Sequence, residues 1–270
     1  MRADSWQYFG MNNPSIHSQA GSRIRELRLS QKRSQLELAM QVGMSQRHLS
    51  FMETGKANGS REMLLALMDA LDAPLAQRNE VLVAAGYAPL FDNRPLDHAD
   101  MGPVNHILDV LLNSAPAVPA MLLDSQWNLV KVNPAFLKLL QLLQFDLEAV
   151  QQPVNLLQAM MAEGGLAARL INRDEVLSEI LRRAQREAVN VPALCSVLSG
   201  LPRLQLKALK HGYPQRPPGP TLVTRFNSTA GALQFISTFT TFGAPVDITA
   251  ASLRIEHLFP ADDFTRSVLS

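Results

Sequence analysis

The 270-residue chain holds one cysteine, Cys195, and that scarcity removes whole classes of function. A lone thiol makes no disulfide framework, no cysteine zinc cluster and no dithiol redox centre. Its surroundings, VPALCSVLSG, are apolar and helical in pattern, the setting of a buried inert thiol and not of a nucleophile. The histidines, His17, His48, His98, His106, His211 and His257, form no His-Glu-x-x-His helix, and no two approach metal-ligand spacing on one element. Also missing are a Gly-x-Ser-x-Gly elbow, a phosphate-cradling Walker loop and a dinucleotide glycine pattern. Asp262 and Asp263 stand side by side without a histidine nearby, so they read as a loop or helix cap, with acid–base work left open. No run of about 18 apolar residues occurs and the amino terminus has no signal-like apolar core. A non-enzymatic, soluble, cytoplasmic protein without membrane association, metal or cofactor is expected.

What is present is organised in two parts. A chain of 270 residues exceeds one small module, so a second domain is expected. Net charge is only +1, yet Gly21 to Ser60 carries seven basic residues (Arg23, Arg25, Arg28, Lys32, Arg33, Arg47, Lys56) against three acidic ones (Glu26, Glu37, Glu53). Positive charge is therefore concentrated in one short segment, as phosphate binding would require.

That segment contains SQLELAMQVGMSQRHLSFMETG, from Ser34 to Gly55. Ser34 with Glu37 three residues on forms a capping-box signature, so a helix starts at Ser34 or Gln35. Leu36, Ala39 and Met40 supply its inner face, and Gly43 provides the left-handed turn that ends it. Ser45 recaps the chain. Gln46, Arg47, His48 and Ser50 then lie on the outer face of a helix whose inner face is Leu49 and Met52, with Gly55 ending it. This spacing predicts a helix-turn-helix. Ser60 caps a further helix through Leu64, Leu67, Met68 and Leu71, and Leu75 to Ala85 forms another that stops at Gly86.

On these residues the stretch from Gly21 to Leu71 resembles the Xre family, the phage-repressor type of helix-turn-helix, with GSRIRELR as its first helix and Glu53-x-Gly55 as the ending of its recognition helix. The resemblance implies double-stranded DNA as partner, Gln35 on a phosphate, and Gln46, Arg47 and Ser50 at base edges. It extends the contact set to Ser45, His48, Phe51, Lys56, Asn58 and Arg61, and makes Arg28 and Glu53 a structural ion pair. Gly59 departs from the family, where proline is common, and leaves the loop from Lys56 looser.

Residues 1–19 contain Trp6, Tyr8 and Phe9 in a polar setting and read as an arm: disordered, inserted in a minor groove, or packed on a partner. The DNA-binding domain spans 20–90 as an all-α unit of about five helices. Residues 91–103, with two prolines, a glycine and several charges, form a linker. The remainder, 104–270, opens with a helix near Val104 to Leu112. Strands follow at Ala120 to Leu123 and Trp127 to Val132, and a helix opens at Pro134 capped by Asn133. Leu147 to Leu209 is helical by period, and strands return at Leu222 to Phe226, Leu233 to Thr241 and Leu253 to Phe259. PQRPPGP, Pro214 to Pro220, reads as a surface loop. The fold class is thus multidomain, with an α+β second part built on one antiparallel sheet of about five strands and helices over one face.

This order resembles the PAS-type sensor fold. Nearly the whole chain, at SQRHLSFME, RNEVLVAAGYAP, NPAF, STFTTFG and IEHLFPAD in particular, is similar to bacterial regulators that pair an Xre domain with an MmyB-like ligand-binding domain. The resemblance implies a small apolar effector, such as a fatty acid or other acyl compound. Phe136, Leu139, Leu140, Met160, Phe226, Phe235, Ile236 and Phe239 would line its pocket; an ordinary packed core explains the same stripes. A homodimeric, effector-modulated DNA-binding regulator is expected. Three rivals stand beside it: an antitoxin-like binder whose second domain holds a protein, a fusion to a degenerate enzyme, and a regulator whose second domain only dimerises.

Overall fold

The computed structural model describes residues 14–201 and 220–270 of the chain. Their contacts fall into two compact units that divide between Asp92 and Asn93.

The first unit is five helices: α1 (Pro14–Ser30), α2 (Gln35–Gln41), α3 (Gln46–Glu53), α4 (Arg61–Ala70) and α5 (Leu75–Ala84). α1 begins at Pro14, so residues expected in an irregular arm are helical; proline's fixed φ and missing donor suit a first helical position. The rest of the expected arm, residues 1–13, lies outside the described residues. Ser34 and Glu37 form the reciprocal capping box, and Ser45 and Ser60 cap α3 and α4 through the amides of His48 and Met63. Gly43 takes φ 72° between α2 and α3, the left-handed conformation that only glycine adopts without strain. One core joins Ile24, Leu38, Ala39, Leu49, Met52, Leu64, Leu67, Met68, Leu71 and Leu82.

Two expectations here are corrected. Leu38, not Leu36 or Met40, joins Ala39 in the core; Leu36 is 51% exposed and Met40 72%. With seven residues α2 presents only one turn inward, and the apolar residues flanking Leu38 and Ala39 point elsewhere. The loop before α4 is not slack either. Gly59 is buried against Met52 and Leu64, and the Tyr87 hydroxyl donates to its carbonyl at 3.1 Å.

The second unit carries a five-stranded antiparallel sheet, ordered β2-β1-β5-β4-β3. Its strands are β1 (Ala120–Leu123), β2 (Leu129–Val132), β3 (Val223–Ser228), β4 (Gly231–Thr241) and β5 (Arg254–Pro260). Helices lie on both faces, against the expectation of one. α6 (Gly102–Asn113) sets Leu108 and Leu112 on Ala120, Leu122 and Ile255 of one face. The other face is covered by α7 (Pro134–Leu142), α8 (Leu156–Met161), α9 (Arg173–Ala188) and α10 (Pro192–Gly200). β1 is buried at all four residues because it is covered twice, which its unbroken apolar run AMLL permits. The chain ends with α11 (Ile248–Ser252) and α12 (Asp263–Leu269), capped by Asp247 and Asp262; Asp262 accepts from the Thr265 amide at 2.7 Å.

The stretch expected to be helical from Leu147 is interrupted. Residues 147–155 are irregular, a single 3-10 turn spans Leu166–Arg169, and positions 202–209 fall outside the described residues. Asn155 caps α8 and its amide donates to the Gln126 carbonyl, so polar side chains anchor this stretch to the turn before β2. The predicted proline-rich loop from Pro214 also lies outside the described residues, except Pro220. Trp127 does not open β2. It sits at φ 69° in the preceding turn and is only 1% exposed.

Candidate functional site

In the first unit, α3 projects Gln46 and Arg47 into solvent with His48 and Ser50 half-buried beside them, while Leu49, Met52 and Glu53 face inward. Ser45 uses its hydroxyl to cap the helix. The Arg47 guanidinium lies 5.3 Å from the centre of the Phe51 ring, so one outward side chain steers the next. Lys56 and Asn58 are exposed in the loop after α3, and Arg61 opens α4.

Beneath this surface Arg28 meets Glu53 in a bidentate pair, Nε to Oε1 at 2.6 Å and Nη2 to Oε2 at 2.8 Å. Both residues are buried. The Glu53 carboxylate, by hydrogen bonding and charge, raises the Arg28 pKa despite burial. Arg28 also donates to the Arg33 carbonyl, and Gln35 donates to Glu53 Oε2 at 2.8 Å. The pair therefore ties α1, the start of α2 and the end of α3 together. A polar cleft beside it brings together Gln35, Gln46 and Ser50 with Arg25 and Thr54. The last two lie outside the contact set expected from the sequence, where Arg25 counted only toward the basic charge of the segment and Thr54 was not named.

The second unit holds a partly open cavity of about 400 Å3 between the sheet and α7–α9. Phe136, Leu139, Leu140, Met160, Phe226 and Phe239 line it. Phe235 and Ile236 do not. Phe235 is fully buried edge-on against Phe226, 6.2 Å between ring centres, and belongs to the packed core beside the cavity. Ile236 alternates to the opposite face of β4, where it pairs with Val223.

The cavity also has a polar wall that sequence reasoning missed. Glu175, Glu179 and Arg183 recur at four-residue spacing on α9, Ser237 comes from β4 and Glu256 from β5. Arg183 is stacked between aromatic rings, 3.7 Å from the Phe239 centre and 4.6 Å from Trp127. Arg254 lies 4.5 Å from Trp127. Glu187 gathers three donors: the Trp127 indole at 2.7 Å, Arg254 at 2.9 Å and Arg183 at 3.0 Å. Burial alone would raise the Glu187 pKa, but Arg254 and Arg183 hold its carboxyl below the ordinary range. Burial pushes Glu256 the other way, upward, against the pull of Arg183, Ser237 and Arg254. On α9 the charged stripe reads in sequence as a solvated helix face, and only the fold turns part of it into a wall.

Cys195, expected to be buried, is exposed, with Sγ 3.6 Å from the Ala188 carbonyl. No group of three metal-ligating side chains occurs among the described residues, and none of their helices is long and apolar enough to cross a membrane.

Two family models match the chain. Residues 104–270 match the MmyB-like transcription regulator ligand binding domain, and residues 19–81 match a helix-turn-helix domain. Neither describes enzymes. No curated protein matches the chain. Among solved structures, the chain is similar to the clp gene regulator ClgR from C. glutamicum, at 30% identity over 26% of this chain and 88% of that one, with a TM-score of 0.23. It is also similar to an RNA-binding light-oxygen-voltage receptor, at 14% identity over 94% of this chain and 61% of that one, with a TM-score of 0.28.

Proposed function

Since the chain belongs to the family of transcription regulators with an MmyB-like ligand binding domain, preceded here by a helix-turn-helix domain, we propose that it is an effector-controlled, dimeric regulator whose second unit takes a small apolar molecule and thereby alters affinity for double-stranded DNA. The observation that carries this reading is the cavity of about 400 Å3, apolar over most of its wall, inside the unit that the ligand-binding family model covers. A volume of that order suits one small ligand. Fatty acids and related acyl compounds suit its mainly apolar lining. The strand order β2-β1-β5-β4-β3, with helices between β2 and β3, supports reading this unit as PAS-like.

Regulation requires that the ligand bind one arrangement of the protein better than another, because equal affinity for both shifts nothing. Gln46, Arg47 and Ser50 of α3 are the groups assigned to base edges. Gln35 is assigned to a phosphate, Lys56, Asn58 and Arg61 belong to the wider contact set, and the cytoplasm is where such a protein meets its operator. Native mass spectrometry of freshly purified full chain, followed by operator titration with the extracted molecule, tests this. A stoichiometric lipid-like adduct whose removal changes operator affinity supports it. A bare chain whose operator affinity responds to no acyl compound sinks the effector reading and leaves a second unit that only dimerises or holds a protein partner.

A further inference from the structure

The polar wall of the cavity has a charge problem that its own residues do not solve. Two guanidiniums, Arg183 and Arg254, share one firm counter-ion, Glu187. The second acid, Glu256, is buried, and burial opposes its ionisation. Ionised, Glu256 balances the second guanidinium at the cost of its burial; protonated, it leaves this end of the cavity with one positive charge for an incoming anion to balance instead. Consistent with that, Arg183 Nη2 and Arg254 Nε and Nη2 are buried without a hydrogen-bond partner. Charged donors left in that state cost more than neutral ones, so an oxygen anion arriving there is favoured twice, by charge and by hydrogen bonding. Arg183 lines the cavity, and Phe239 and Trp127 fix the plane of its guanidinium.

The incoming anion would also meet Glu256, which lines the same cavity. The charged groups that act on Glu256 are Arg183 and Glu187 of α9 and Arg254 of its own strand; β4 offers Ser237 and Phe239, and β1 offers Met121 opposite it. Glu175 and Glu179 add two more acids on the α9 side of the cavity. Two carboxylates served by the same cations cannot both stay ionised at low cost. Resting on the reading of this cavity as the effector site, we propose that the effector is anchored by a carboxylate docked on Arg183, and that Glu256 takes up a proton as the ligand binds. The same logic gives the sign of the pH effect. Binding that takes up a proton weakens as pH rises, over a range in which the ligand's own carboxylate stays ionised.

The test is calorimetric titration of the full chain with sodium decanoate and with 1-decanol, between about pH 6 and about pH 8, in buffers of different ionisation heat. Decanoate is expected to bind roughly tenfold or more tightly than decanol, the scale of one charge-assisted hydrogen bond. Its affinity should fall with pH, with net proton uptake that Glu256→Gln abolishes. Arg183→Gln should erase the preference for decanoate; because that change also removes a buried stack, proton counting on the unmodified chain carries the decision independently. Equal affinity for the two probes, or decanoate binding with no proton uptake, overturns the proposal while leaving the cavity an effector site. Failure of both probes to bind overturns the effector reading itself.

Discussion

At the scale of single residues, three side chains carry separable consequences. Arg28 and Glu53 are both buried and satisfy each other at two contacts, so removing either leaves a buried charge without its partner. Arg28→Ala should cost about 3 to 5 kcal/mol of stability in the first unit. Urea denaturation followed through that unit checks it; a normally stable variant with altered operator preference would assign Arg28 to recognition instead. Arg47 is exposed and oriented by Phe51. Arg47→Ala should weaken the cognate operator by about 1 to 3 kcal/mol with stability unchanged, if its guanidinium reads a base edge. Equal loss on random DNA in a competition assay would reduce it to a phosphate contact. Glu256 gives a pH-dependent case. Its folded pKa is raised by burial, so its contribution is fully present below the unfolded glutamate value of about 4.3 and is lost as pH rises through the folded value. Glu256→Gln, which keeps the shape facing Ser237, should therefore melt progressively above the unmodified protein as pH rises from the unfolded value toward the folded one. Parallel melting curves at every pH would contradict it.

At the scale of elements, short helices here depend on how they end and how closely they approach. A side chain on Gly21 would place its Cβ 2.0 Å from the Met52 carbonyl oxygen, so α1 lies directly on the end of α3 with no room for any Cβ. Gly21→Val should push the two helices apart and lower stability by about 1 to 3 kcal/mol or more, visible in a thermal melt of the full chain. A melt identical to the parent would mean that the helices slide without cost. The same scale explains what was readable in the sequence. Ser34, Ser45, Ser60 and Asn133 announced their helices because capping is local chemistry, settled within four residues. The strands of the second unit announced themselves by alternation or by short runs of apolar, β-branched and aromatic residues. Leu36 and Met40 misled because a two-turn helix offers too few residues for period to outvote chance. Trp127 misled because strand propensity says nothing about a left-handed φ. Phe136, Leu139, Leu140 and Met160 carried the right apolar pattern, but nothing local distinguishes a residue that lines a cavity from Phe235, which packs against its neighbour. The charged wall was invisible for a further reason: Arg183 and Glu187 come from α9 and Arg254 from β5, and only the packing of α9 on the sheet brings them to one ring, Trp127.

At the scale of the whole molecule, one recognition helix is too little. Eight residues of α3 reach only a few base pairs, and a single such module rarely supplies both the affinity and the discrimination that a genome demands. Two copies bound to one operator multiply the two, provided their recognition helices sit on the same side of the duplex. A dimer of this chain should therefore prefer two inverted half-sites centred about 34 to 36 Å apart, one helical turn. Inserting about half a turn of DNA between them rotates one half-site to the far side, and affinity should fall toward that of a single half-site; inserting a full turn should restore part of it. A gel-shift series over these spacings reads the geometry directly, and affinity that ignores spacing would show that each chain binds alone. The same series with and without a cavity ligand then separates two ways of regulating. If the ligand changes affinity at every spacing equally, it acts within one chain's DNA-binding surface. If it changes the preferred spacing, or the cost of a half turn, it acts through the arrangement of the pair, and by reciprocity operator DNA of the favoured spacing must tighten ligand binding by the same factor.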